Sequence, residues 1–179
     1  MIQKDMPVAE LAAIISEALK RAGIRAVLSG GSVVTIYAGE IFVSKDLDFV
    51  SDARLSDVEP IMTSLGFSRK ITGLFEHSDT EYLVDFERGP LAVGEEVLEE
   101  WGVLETAQGQ LEILTPTQCV KDRLTWFYHS NDRQSLKQAV AVATCHAVDF
   151  DELHRWSDGE RSLERYELFL NELHHKTAS

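Results

Sequence analysis

A glycine turn followed by an alternating pair of acids constrains this chain more than any other feature. Ile24 to Leu28 (IRAVL) is apolar and β-branched, and it runs directly into Ser29-Gly30-Gly31-Ser32 and then into VVTIYAGE, where Val34, Tyr37 and Ala38 share one helical face. The pattern is strand, turn, helix. Backbone N–H groups at such a turn, with the helix N-terminus behind them, form an anion site, and glycines allow a phosphate to approach closely. Fourteen residues after Ser32 comes Asp46-Leu47-Asp48, in a short apolar strand over Leu47 to Val50. Side chains two apart on a strand share a face, so Asp46 and Asp48 can bind one cation together. Asp85, in YLVDFERG, alternates with Val84 and Phe86 and offers a third carboxylate from a later strand. Three carboxylates from two strands suit one or two Mg2+ ions that share their shell with substrate phosphates.

The rest of the chain frames this core. Leu11, Ile14, Ile15, Ala18 and Leu19 recur at helical spacing between Pro7 and Ala22, and Gly23 closes that helix. A helix is expected from Leu55 to Leu65, followed by strands at Phe67–Arg69, Leu74–His77 and Tyr82–Glu87 that favour antiparallel pairing. Val103–Thr106 and Leu111–Leu114 read as a further hairpin across AQGQ. Thr115-Pro116 is a strong helix start, a capping residue followed by proline at the first helical position. That helix holds Val120, Leu124 and Phe127, and further helices are expected at Leu136–His146, Asp151–Trp156 and Leu163–His174. The expected class is α+β: a mixed sheet with flanking helices over 1–114, and a helical lobe over 115–179 packed on it.

Composition limits the partners. Thirty acidic against seventeen basic residues give a formal net charge of -13 across 179 residues. Bulk attraction to nucleic acid or to an anionic membrane is disfavoured, so any phosphate must be met by a local cluster or a bound cation. Two cysteines, Cys119 and Cys145, form no disulfide framework and read as buried helix residues in a reduced cytoplasm. The first residues read as neither a secretory signal nor a membrane span.

The stretch LSGGSVVTIYAGEIFVSKDLDFV resembles the signature of the nucleotidyltransferase superfamily related to DNA polymerase β. That resemblance implies a nucleoside triphosphate (NTP) held by Gly30, Gly31 and Ser32, with Asp46, Asp48 and Asp85 as Mg2+ ligands. It implies transfer of a nucleoside monophosphate group to a hydroxyl. The run LTPTQCVKDRLTWFYHSNDRQSLKQAVAVA is similar to small bacterial nucleotidyltransferase-like proteins allied to AbiEii-type toxins. By that likeness Arg123 would face the nucleotide phosphates, with Lys121 assisting, in a toxin–antitoxin or defence setting. Those toxin relatives usually continue with a Lys-Asp pair, where this chain has Asn131-Asp132-Arg133-Gln134.

Each of these residues has a plainer role beside the chemical one. Asp46 and Asp48 could line a solvated strand edge, and Asp85 could pair with Arg88 or Lys45. Lys45, next to the acid pair, could meet a phosphate or simply stand on the surface. Arg123 could pair with Asp122 or Glu105. Trp101, Trp126 and Trp156, with Phe127 and Tyr128, read as core and lobe-interface packing before a base-stacking platform. Glu95, Glu96, Glu99 and Glu100 read as a solvated helix face, or as a surface awaiting a basic partner. The acceptor is expected to be a protein side chain or a small molecule before RNA. The rival to an enzyme is a catalytically silent, antitoxin-like module of the same fold that binds a nucleotide or a partner protein.

Overall fold

Leu11, Ile15 and Leu19 lie on one face of the first helix, and all three are fully buried against the sheet. The computed structural model describes residues 1–179, with Glu40 described by its backbone alone. In chain order the elements are α1 (Val8–Arg21), β1 (Val27–Ser29), α2 (Gly31–Ala38), a 3-10 turn at Glu40–Phe42, β2 (Asp46–Ser51) and α3 (Leu55–Ser64). Six strands follow: β3 (Ser68–Arg69), β4 (Phe75–Glu76), β5 (Leu83–Arg88), β6 (Ala92–Val93), β7 (Glu96–Val97) and β8 (Gly102–Thr106). Then come β9 (Gly109–Ile113) and four helices: α4 (Pro116–Ser130), α5 (Arg133–Cys145), α6 (Phe150–Gly159) and α7 (Leu163–Thr177).

The protein is α+β. Seven strands form one mixed sheet in the order β3-β4-β5-β2-β1-β9-β8, and β6 with β7 makes a separate hairpin. β3, β4 and β5 pair antiparallel as expected, whereas β5 runs parallel to β2. Leu47 and Phe49 of β2 and Val84 of β5 point into the core, which leaves Asp46 and Asp48 of β2 and Asp85 and Glu87 of β5 on the alternate face, beside half-buried Val50 and Leu83. One continuous apolar cluster includes Leu28, Phe49 and Ile113 of the sheet together with Leu124, Phe127 and Phe169 of the later helices.

Thr115 caps α4 in a full capping box, its hydroxyl accepting from the Gln118 N–H while the Gln118 side chain accepts from the Thr115 N–H. Three expectations are corrected. β1 starts at Val27 and not at Ile24, because the Ile24 N–H is taken by the Leu19 carbonyl at the end of α1. The Glu95–Glu100 segment is not a helix face: Gly94, at φ 60°, turns the chain into the β6–β7 hairpin. Glu96 then turns inward to Lys121 and Arg155. Cys145 is exposed at the last position of α5, while Cys119 is buried and its thiol is pushed well above the usual range by that burial. No helix is long and apolar enough to cross a membrane.

Candidate active site

Three adjacent strands bring the turn and the acids to one level. β1 pairs antiparallel with β2, so Ser29 lies opposite Asp48; β2 pairs parallel with β5, so Asp48 lies opposite Asp85. Asp46 is one pleat earlier on the same face of β2. The Ser29 hydroxyl donates to the Asp48 carbonyl at 3.2 Å, which fastens the start of the turn to the acid strand. Gly30 follows at φ 75° as the residue before α2. A Cβ at Gly30 would stand 2.6 Å from Asp48 Oδ2, so glycine is required both by the backbone and by the space the carboxylate occupies.

The segment between turn and acids is tied down as well. Thr35 Oγ1 donates to the Phe42 carbonyl at 2.5 Å and accepts from the Ser44 N–H at 3.3 Å. A Cβ on Gly31 would meet Ser44 at 3.3 Å. Ser32 is fully buried, and its hydroxyl leans back to the Ser29 carbonyl at 3.4 Å. The anion-binding capacity of the turn therefore lies in the backbone N–H groups that open α2, with the Ser32 hydroxyl shaping the turn.

Negative charge is concentrated here. The Asp48 carboxyl is pushed up to about 6, first by burial, then by Asp46, Glu87 and Asp85, while Arg123 pulls it back. Asp85 Oδ1 accepts from the Phe86 N–H at 2.9 Å and forms no ion pair with Arg88 or Lys45. Among the described residues, no three Asp, Glu, His or Cys side chains close into a metal-sized cluster. The donor set nevertheless fits a hard divalent cation, being carboxylate oxygens only, with mutual repulsion that a cation would relieve.

The cations predicted from sequence separate. The Arg123 charge pulls the Asp48 carboxyl back toward its ordinary value, and its guanidinium is held by Asp122 Oδ2 at 2.5 and 3.1 Å and by Gln138 Oε1 at 3.4 Å. Lys121 is two residues earlier and so about 200° around α4. It is buried under the β6–β7 hairpin, with Nζ 2.8 Å from Glu96 and 2.5 Å from Glu152. Lys45 is paired with Glu81 at the surface, and that hydrogen bond holds its ammonium above the usual lysine range.

No protein-family model matches the chain, and no curated protein matches it in sequence. Solved structures do. ANT(2'')-Ia, an antibiotic-resistance factor studied in solution, aligns over 90% of this chain and 94% of its own, at 17% identity and a TM-score of 0.50. An antigenic nucleotidyltransferase-like protein from Paracoccidioides brasiliensis aligns over 79% of this chain and 78% of its own, at 11% identity and a TM-score of 0.54. The chain has a nucleotidyltransferase fold.

Within that nucleotidyltransferase fold, several neighbours of the site went unread in the sequence. Glu87 shares the Asp85 face of β5, and the same two-residue alternation that singled out Asp46 and Asp48 could have found it. Gln138 reaches Arg123 from α5, a contact set by how two helices pack and written in no local pattern. Asp122 occupies the guanidinium as one of the two plain ion-pair partners expected for it. Trp126 does not join the core packing expected of it, since 53% of its surface is exposed.

Proposed function

We propose that this protein is a magnesium-dependent nucleotidyltransferase that moves a nucleoside monophosphate group from an NTP to the hydroxyl of a small molecule or a protein side chain. The observation that carries the reading is the cross-strand alignment of Ser29, Asp48 and Asp85, with Gly30 pressed against Asp48. Asp46, Asp48 and Asp85 would hold the Mg2+, which supplies charge neutralisation along the triphosphate and a lowered acceptor pKa. The opening N–H groups of α2 receive the terminal phosphates. Arg123 leaves Asp122 and turns its guanidinium to the same phosphates. Asp85 orients the acceptor hydroxyl and takes its proton as the oxygen attacks the α-phosphorus. The bond from that phosphorus to the bridging oxygen breaks, and pyrophosphate leaves. A net charge of -13 favours acceptors other than nucleic acid.

Labelled NTPs provide the test. Incubation of the protein with each α-labelled NTP, Mg2+ and a small-molecule or whole lysate is expected to give a labelled product, absent with the Asp46→Ala/Asp48→Ala variant. Label on a partner protein would also bear out the AbiEii-like placement, which we include in this proposal. One observation favours the silent module instead, namely that Asp122 already occupies Arg123. Calorimetric NTP binding with no labelled product would establish that reading, and neither binding nor label would sink both.

A further inference from the structure

A cavity of about 430 Å³ lies at the other end of the strands that carry the acids. β1 and β2 set Ser29 opposite Asp48 and, at the far end of the same register, Val27 opposite Val50. Continuing that register brings Arg25 opposite Asp52 just beyond the paired residues. Val27, Val50, Leu91 and Leu98 give the cavity an apolar floor, and Trp101 is part of its wall. Among the described residues its lining includes neither the acids nor the glycine turn.

Hydrogen bonds hold this frame in place. The Ser51 hydroxyl donates to the Arg25 carbonyl at 2.6 Å, which ties the end of β2 to the segment before β1. The Gly89 N–H donates to the Ser51 carbonyl at 2.9 Å, and the Leu98 N–H donates to the Leu91 carbonyl at 2.9 Å. Trp101 is fixed by its indole N–H, which donates to Glu112 at 3.1 Å. The cavity is therefore preformed, with apolar surface and a few polar groups around it, as small-molecule sites are.

Its rim carries both signs of charge. The Arg25 side chain is 72% exposed, leans over the Trp101 ring at 5.4 Å and comes no closer than 3.8 Å to Glu112. The Asp52 carboxylate is exposed and, among the described residues, makes no hydrogen bond or ion pair. A Cβ on Gly89 would collide with Asp52 Oδ1, so glycine is what leaves the carboxylate its place beside the cavity. Glu99 adds a second acid to the lining. Arg25 and Asp52 are thus brought together by the register and still do not pair with each other. A cation and an anion left apart around an apolar floor complement an amphipathic zwitterion.

We propose that this cavity binds a free amino acid with an aromatic or large aliphatic side chain. Its carboxylate pairs with the Arg25 guanidinium, its ammonium pairs with Asp52, and its side chain packs on Val27, Val50 and Trp101. The site is independent of the nucleotidyltransferase reading.

Calorimetry on the full chain tests it with L-phenylalanine, glycine and two analogues that each lack one charge, phenethylamine and 3-phenylpropionate. The wild type is expected to bind L-phenylalanine saturably, each analogue about tenfold more weakly, and glycine not measurably. Arg25→Gln should lose about tenfold for L-phenylalanine and for 3-phenylpropionate while phenethylamine binds as before. Asp52→Asn should spare 3-phenylpropionate and weaken the other two. Asp46→Ala/Asp48→Ala should bind L-phenylalanine as the wild type does, and a loss there would put the ligand on the acid face and overturn the proposal. It is also overturned if L-phenylalanine shows no saturable binding at millimolar concentrations, or if phenethylamine or glycine binds as tightly. Equal losses for all three phenyl ligands in Arg25→Gln and Asp52→Asn would overturn it as well, since a distorted frame and not a charge pairing would then explain them.

Discussion

Asp48 is the residue at which structure and chemistry pull in opposite directions. It is a partly buried carboxylate beside Asp46, Glu87 and Asp85, and its carboxyl is pushed up to about 6, well above the ordinary value near 3.9. A raised folded-state pKa means that the native state holds the proton more tightly than the unfolded chain does. The associated stability is fully present below the ordinary value and is lost as pH rises through about 6. In EDTA this carboxyl should therefore lower the melting temperature of the wild type between about pH 4 and about pH 6.5. Asp48→Asn, which cannot ionise, should fall less over the same range and stand ~3 °C higher at the upper end. Parallel pH profiles for the two proteins would contradict the account. The same substitution should abolish transfer, so the folded state is less stable than it could be at the position where the chemistry needs charge.

At the scale of the element, α4 shows how one helix serves two purposes on two faces. Arg123 is held by Asp122 and by Gln138 of α5, whereas Lys121 locks the β6–β7 hairpin and α6 through Glu96 and Glu152. Lys121 and Arg155 together lower both acids, Glu96 against its own burial and Glu152 to about 2. Lys121→Ala should cost about 2–3 kcal/mol in a urea titration, the partners being a third exposed, and leave NTP affinity unchanged. Arg123→Ala should do the reverse, weakening NTP binding about tenfold with little loss of stability. The contrast marks where the sequence was readable. Local patterns were enough for Thr115 and Pro116 to start α4, for β2 to carry alternate acids and for a glycine turn to precede α2. They could not say that Lys121 and Arg123 point apart into different neighbourhoods, because α4 packs on α5, α6 and the hairpin at once. The Glu95–Glu100 segment was misread as a helix for a related reason: Glu95, Glu99 and Glu100 are exposed as expected, and only Glu96 is drawn in, by Lys121 and Arg155 from far along the chain. The alignment of Asp48 with Asp85 likewise needed a parallel pairing between strands that no turn connects.

For the whole molecule, a charge of -13 on a chain of this size works against compactness everywhere and most strongly at the acid face. Added salt screens the diffuse part of that repulsion, so NaCl should raise the melting temperature of the wild type and of Asp48→Asn alike. Divalent magnesium should do more. At matched ionic strength, a site that binds Mg2+ only in the folded state adds stability by mass action, ~1.4 kcal/mol at ten times its dissociation constant. For a chain of this length that is a rise of ~3 °C beyond the NaCl value. The extra rise should vanish in Asp48→Asn, which keeps the shape of the site and removes one charge from it. It should persist in Lys121→Ala, whose missing charge lies on the other face of α4. If MgCl2 and NaCl give the same melting temperature at equal ionic strength, the acid face is a bare electrostatic liability and the magnesium assignment is wrong. If the rise appears equally in all three proteins, the ion is binding the general negative surface and not the strands that carry Asp46, Asp48 and Asp85.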